Sequence, residues 1–195
     1  MNKIYCVFGD SVVHAAYIKE SWVELLEGYL QEKYREDFVD VFNLGINGNT
    51  TDDVLARLEN ESLVRNPTSF IFEVGVNDSG YFRVPSKPIV EKERFISNLE
   101  KLIKLAKKFT GDITFIGLVL GDDSLLQPYP DSSKGKSYTV DGVKEYDKIL
   151  KEIVEKNGCK YIYLFDKLNF DDFSDGLHPN GAGHKKMFEE IKKYF

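Results

Sequence analysis

Ser11 ends the turn Gly9-Asp10-Ser11, directly after the apolar run "KIYCVF" at 3–8. A serine hydroxyl is a weak nucleophile until a base removes its proton. Far along the chain, "SDGLHP" sets Asp175 three residues before His178. At that spacing one turn of loop brings the side chains together, so that a carboxylate can orient an imidazole and stabilise its cation. Between these lie two hydrogen-bond donors, the backbone N–H of Gly48 in "GINGNT" and the amide of Asn77 in "GVND". Together with the Ser11 N–H they would hold a developing oxyanion. A hydroxyl, a base, an acid and oxyanion donors are the requirements of acyl transfer.

Each signal alone has a plain structural explanation. Gly, Asp and Ser are ordinary turn residues. Thr50 and Asp53 have the spacing of a capping box, so "GINGNT" reads equally well as a turn before a helix. Asn77-Asp78 is a common turn pair, and Asp175 and His178 could share only a local hydrogen bond. Other residues compete for the same roles. His14 lies close after Ser11, whereas His184 opens the last helix and reads as a packing or capping residue. Asp166, Asp171 and Asp172 compete with Asp175; the first closes a strand and the other two read as a solvated loop.

The weight comes from where these residues must stand. Five runs read as strands: 3–8, 39–44, 69–76, 112–120 and 160–166. Four are nearly continuously apolar, as strands covered on both faces are. The second, with Asp40 and Asn43, reads as an edge. Helical periodicity fills 20–34, 51–63, 92–109, 142–158 and 180–195. Strands alternating with helices predict an α/β fold, a three-layer α/β/α sandwich of 195 residues in one domain. The expected sheet is five-stranded and parallel, in the flavodoxin-like order 2-1-3-4-5. In such sheets a site lies outside the carboxyl ends of the strands. Ser11, Gly48, Asn77 and the Asp175–His178 pair all fall on that rim.

With these blocks in order, the chain resembles the SGNH hydrolases, also called the GDSL esterase family, along its whole length. The resemblance implies that Ser11 is the nucleophile. It implies that Gly48, rather than Gly45, and Asn77 join the Ser11 N–H in the oxyanion hole. It also implies that Asp175 and His178, followed by Pro179, complete a triad. The sequence departs from the family after Ser11, where "VVHAA" replaces a stretch that often carries Thr and Gly. Glu73, inside an apolar strand, is a second oddity and reads as a satisfied structural carboxylate.

Composition narrows the partners. A net charge of −6 argues against a nucleic-acid surface. No apolar run is long enough to span a bilayer and the N-terminus lacks signal-peptide character, so a cytoplasmic enzyme without membrane partners is expected. Cys6 and Cys159 are too few for a disulfide framework, lack metal-ligand spacing and read as buried thiols. Neither a metal nor a cofactor is expected. The loops 79–88 and 121–138 are expected to wall the pocket. They set aromatics (Tyr81, Phe82, Tyr129, Tyr138) among Asp122, Asp123, Asp131, Arg83, Lys134 and Lys136, with Leu125 and Leu126 the one apolar pair. That mixture suits short-acyl esters of polar alcohols, such as acetylated carbohydrates. The alternatives are a lysophospholipase or thioesterase of the same fold and, in another class, a non-hydrolytic receiver-like or small-molecule-binding flavodoxin-like module. A receiver would need a paired acid after the first strand, where this chain has Asp10 followed by Ser11.

Overall fold

The computed structural model describes residues 2–83, 86–130, 132 and 135–195. Its strands are β1 (Asn2–Gly9), β2 (Phe38–Gly45), β3 (Ser69–Glu73), β4 (Tyr81–Arg83), β5 (Ser86–Pro88), β6 (Ile113–Ile116), β7 (Lys136–Ser137) and β8 (Lys160–Ile162). Its α-helices are α1 (Ser11–His14), α2 (Trp22–Lys33), α3 (Thr51–Arg65), α4 (Val76–Ser79), α5 (Lys92–Ala106), α6 (Val140–Lys156) and α7 (Gly181–Ile191). Five strands form one parallel sheet in the order β2-β1-β3-β6-β8, the expected order with β2 at an edge.

Alternation along β3 sorts the core into two layers, because successive strand side chains point to opposite faces. Phe70 and Phe72 pack with Phe8, Phe115, Leu58, Leu99 and Leu150, under α3, α5 and α6. Ile71 packs with Val7, Trp22, Leu26, Ile116 and Met187, under α2 and α7. The phenylalanines stack, with ring centroids 5.6 Å apart for Phe70–Phe72 and 4.8 Å for Phe72–Phe115.

The strands are shorter than the apolar runs that announced them. Beyond Glu73 the chain turns through Gly75 into α4, and beyond Ile116 and Ile162 it leaves the ladder while remaining apolar. Buried residues such as Leu118, Val119 and Leu164 continue the runs because the core extends past the last strand pairs. A second, three-stranded antiparallel sheet, β5-β4-β7, stands apart from the parallel one. It changes the expectation for the loops. Segment 79–88 includes a β4–β5 pairing, and Tyr81, Lys87 and Pro88 line a different depression, beside α6. The pair Leu125–Leu126 separates, with Leu126 fully buried and Leu125 exposed. Asp131 and Lys134 lie outside the described residues. Cys6 is buried as expected, but Cys159 is only half-buried, because it precedes β8 just past the α6 C-terminus.

Candidate active site

The carboxyl ends of β1, β2 and β3 are locked in register, Gly9 opposite Gly45 on one side and Glu73 on the other. The α1 turn and the β3 end close on this corner so tightly that a Cβ on Gly9 would lie 2.3 Å from Val13 Cγ2 and 2.2 Å from the Glu73 carbonyl oxygen. One on Gly45 would lie 2.2 Å from the His14 nitrogen. Asp10 caps α1, its Oδ1 accepting from the Val12 N–H at 2.9 Å. Ser11, the first residue of that helix, is thereby presented at the rim.

The loop after β2 is fixed by Arg57 of α3. Its guanidinium donates to the Leu44 carbonyl at 2.7 Å, the Gly9 carbonyl at 3.3 Å and Asn49 Oδ1 at 3.0 Å. Gly48 takes φ +78°, a left-handed conformation that glycine adopts without steric cost. Asp53 accepts from the Thr50 N–H at 2.8 Å, as the capping pattern anticipates. Gly75, at φ +140°, reverses the chain after β3, so that Asn77 sits in the first turn of α4 beneath the rim.

The Asp175–His178 loop is closed on itself. The Ser174 N–H donates to the His178 carbonyl at 2.8 Å, and the Gly121 N–H ties the loop to the exit of β6 through Gly176 at 2.8 Å. Asp175 Oδ1 accepts from the backbone N–H of Leu177 at 3.0 Å and of His178 at 2.7 Å. Its Oδ2 lies 2.7 Å from His178 Nδ1 and accepts from the Tyr129 hydroxyl at 3.2 Å. Burial works to raise the Asp175 pKa, but the hydrogen bonds from His178 and the Leu177 N–H outweigh it and hold the carboxyl below the usual range. Because a carboxylate only accepts, Nδ1 carries the proton and Nε2 is left as a base. His178 Nε2 lies 3.0 Å from Ser11 Oγ.

The structure therefore brings Ser11, His178 and Asp175 into one hydrogen-bonded series. Gly48 and Asn77 line the same cleft of about 660 Å3. The competitors lie elsewhere. His14 is exposed and bonds Asn47 Oδ1 at 2.9 Å. His184 is buried, and its Nδ1 accepts from the Trp22 N–H at 3.3 Å. Asp166 and Asp171 are exposed, and Asp172 is engaged by Lys186 at 2.6 Å.

Four features of the site come from the structure alone, although Lys136 and Tyr138 were expected on its wall. Tyr17 stands edge-on to the His178 ring, centroids 5.3 Å apart. Lys136 and Tyr138 reach the cleft from the small sheet and bond the Asn77 side chain. Asp10 is buried and accepts from Asn77 Nδ2 at 2.9 Å. Glu73, fully buried, has Asp10 as its neighbour. Burial first, then the charge of Asp10, pushes the Glu73 carboxyl well above its ordinary range. Neither of its carboxyl oxygens meets a hydrogen-bond partner among the described residues, so the expectation of a satisfied carboxylate does not hold. Asp78 is also buried. Desolvation raises it to about 7, against the hydrogen bonds it accepts from the Thr51 hydroxyl and N–H. Among the described residues no group of three or more His, Cys, Asp or Glu is placed to hold a metal ion.

A hydroxyl, an imidazole and a carboxylate in series at the carboxyl ends of a doubly covered parallel sheet define the class of serine-hydrolase-like α/β/α proteins. The comparisons narrow this to a family. Residues 7–186 match the GDSL-like Lipase/Acylhydrolase family, and the chain belongs to it. It is 23% identical to the uncharacterized protein YpmR of Bacillus subtilis over 176 residues, covering 80% of this chain and 67% of that one. It is 24% identical to an acetylxylan esterase of Geobacillus stearothermophilus over 174 residues, covering 84% of this chain and 75% of the other. The solved structure of Axe2, an acetylxylan esterase from that organism, superposes with a TM-score of 0.76 at 19% identity over 98% of this chain and 93% of Axe2. The protein is accordingly an enzyme of the GDSL esterase type. No helix among the described residues is long and apolar enough to cross a membrane.

Proposed function

We propose that this enzyme hydrolyses carboxylic esters through an acyl-enzyme, with Ser11 as nucleophile, His178 as general base and Asp175 as the orienting acid. The observation that carries the reading is the unbroken series from Asp175 Oδ2 to His178 Nδ1 at 2.7 Å and from His178 Nε2 to Ser11 Oγ at 3.0 Å. His178 takes the Ser11 proton as Oγ attacks the ester carbonyl. The C–O bond then breaks, and His178 returns the proton to the departing alcohol. Water attacks the acyl-Ser11 ester by the same route and releases the acid. The negative oxygen of each tetrahedral intermediate is held by the N–H groups of Ser11 and Gly48 and by Asn77 Nδ2. At rest Asn77 Nδ2 donates to Asp10 Oδ2 and, at 3.2 Å, to the Asn49 carbonyl. The oxyanion would replace the longer of these two acceptors. Catalytic variants of Axe2 support the same assignment, since they replace a serine, an aspartate and a histidine, the last two three positions apart.

The substrate side of the reading favours short-acyl esters of polar alcohols, acetylated carbohydrates among them. The cleft wall offers Tyr17, Tyr129 and Tyr138 rings with Ser132, Asn47 and Lys136, and one aliphatic side chain, Leu177, among the described residues. That wall suits hydrogen-bonding alcohols with aromatic contact more than a long acyl chain. Two measurements test the proposal. A fluorophosphonate probe should label wild type and not Ser11→Ala. A chain-length series of p-nitrophenyl esters should give the highest kcat/KM for acetate or butyrate. A specificity that climbs steadily with chain length would replace this substrate reading with the lysophospholipase one.

A further inference from the structure

Lys136 is an unusual presence beside an ester-hydrolysing site. Its backbone is held at both polar ends: its N–H donates to Ser132 Oγ at 2.8 Å, and its carbonyl accepts from the Tyr129 N–H at 2.8 Å. β7 pairs with β4 at Phe82–Lys136, so the residue stands on a paired strand. Its stem runs over Gly80, where an added Cβ would meet Lys136 Cε at 3.1 Å and the Tyr138 ring at 3.0 Å. The bare glycine therefore makes room for both side chains and aims them at α4.

Both arrive at one atom. Asn77 Oδ1 accepts from Lys136 Nζ at 2.5 Å and from the Tyr138 hydroxyl at 3.0 Å. On the other end of the same amide, Nδ2 donates to Asp10 Oδ2 at 2.9 Å. A buried carboxylate, an amide and an ammonium thus stand in a row. A cation at the oxygen and an anion at the nitrogen fix which way the amide faces, since the flipped amide would set its NH2 against two donors. The cation at the oxygen also draws electron density from the nitrogen, which strengthens its N–H groups as donors. Among the described residues no carboxylate lies within ion-pair distance of Lys136, and it is the one Lys or Arg lining the cleft. Burial raises the Asp10 carboxyl above its ordinary range, against the Val12 N–H and the nearby His178 and Lys136 charges.

We propose that Lys136 is a positioning residue of the oxyanion pocket: with Tyr138 it clamps Asn77 in the donating orientation. This rests on the serine-esterase reading above.

The test uses p-nitrophenyl acetate, which is neutral, and a matched ester carrying a carboxylate, with kcat and KM measured separately. Lys136→Met is expected to lower kcat about ten- to a hundredfold on both esters, with KM changed less than about threefold. Tyr138→Phe, which removes one bond to Oδ1 and keeps the ring, should lower kcat by about three- to tenfold. In an Asn77→Ala background, Lys136→Met should cost no more than about twofold, because clamp and clamped group act as a unit. Lys136→Cys treated with 2-bromoethylamine, which restores an ammonium at nearly the same reach, should recover activity, with identically treated wild type as control. Full additivity with Asn77→Ala would overturn the proposal, as would a loss confined to the carboxylate ester or to KM, which would make Lys136 a substrate-binding residue. Failure of the underlying reading shows differently: wild type would then resist the fluorophosphonate and Ser11→Ala would stay active.

Discussion

On one side of the cleft, Ser11, Gly48 and Asn77 stand on turns that continue parallel strands. On the other, Tyr129, Lys136 and Tyr138 stand on a segment that pairs with itself, Tyr129 N–H to the Lys136 carbonyl at 2.8 Å and Tyr138 N–H to the Leu126 carbonyl at 3.1 Å, and through β7 with the short strand β4. The first wall inherits its geometry from the sheet register. The second is set by local pairing, by the small β5-β4-β7 sheet and by contacts across the cleft to Asn77 and Asp175. Reacting groups need positions held to a fraction of an ångström, and a register supplies that. Recognition groups can sit on an appendage, provided something ties it back.

The contrast can be broken most directly at the nucleophile wall. Ser11→Ala and His178→Ala are each expected to lower kcat by about 10⁴–10⁶ while the circular-dichroism melt stays unchanged. His14→Ala should retain most activity, and a His14 variant as inactive as the His178 one would place the base wrongly. Next in size, Asn77→Ala should lower kcat about 10²–10³-fold with little change in KM on p-nitrophenyl acetate. A pure KM effect would move Asn77 from the oxyanion to the ground-state substrate. On the opposite wall, Tyr129→Phe removes a 3.2 Å bond to Asp175 Oδ2, which still has the His178 ring and two backbone donors. A loss of about two- to fivefold in kcat/KM is expected there. A loss as large as that of Asn77→Ala would show that the second wall shares the catalytic geometry and would dissolve the distinction.

The smallest expected effect is on stability and sharpens how dry the first wall is. His184, beneath Tyr17 and His178, is depressed to about 4, first by burial and then by the charge of His178, against the pull of Glu24. Its folded pKa lies below the unfolded value, so the unfolded chain binds the proton more readily. Stability through this group is therefore present near neutrality and lost as pH falls from about 6.5 towards 4, up to about 3 kcal/mol. Tm measured at pH 7 and pH 4.5 should drop less in His184→Gln than in wild type. An equal drop would assign the acid sensitivity to other groups.

How much of this was legible differs along the same line. The parallel order, the edge position of β2 and the rim carrying Ser11, Gly48, Asn77, Asp175 and His178 follow from apolar runs, glycines and polar residues at run ends. Those signals are local in sequence and repeated. The small antiparallel sheet was not legible, because three-residue strands such as Tyr81–Arg83 and Ser86–Pro88 carry no period long enough to register. Lys136 was expected on the pocket wall among other charges, but not against Asn77. Its direction depends on Gly80, more than fifty residues earlier, and no spacing rule links the two. Glu73 was noticed but not explained, since its neighbour Asp10 meets it only through the pairing of β1 with β3.

The corner where Gly9 and Gly45 meet has a consequence for how such a protein can change. A single added methyl at either position would overlap backbone atoms of Glu73 or His14, and backbone cannot rotate aside as a side chain can. Random substitution at these two codons is filtered out before any question of catalysis arises. Variation compatible with this corner falls instead at exposed positions such as Leu125 and Pro128 on the facing loop. A library aimed at new substrates therefore loses nothing by leaving this corner untouched.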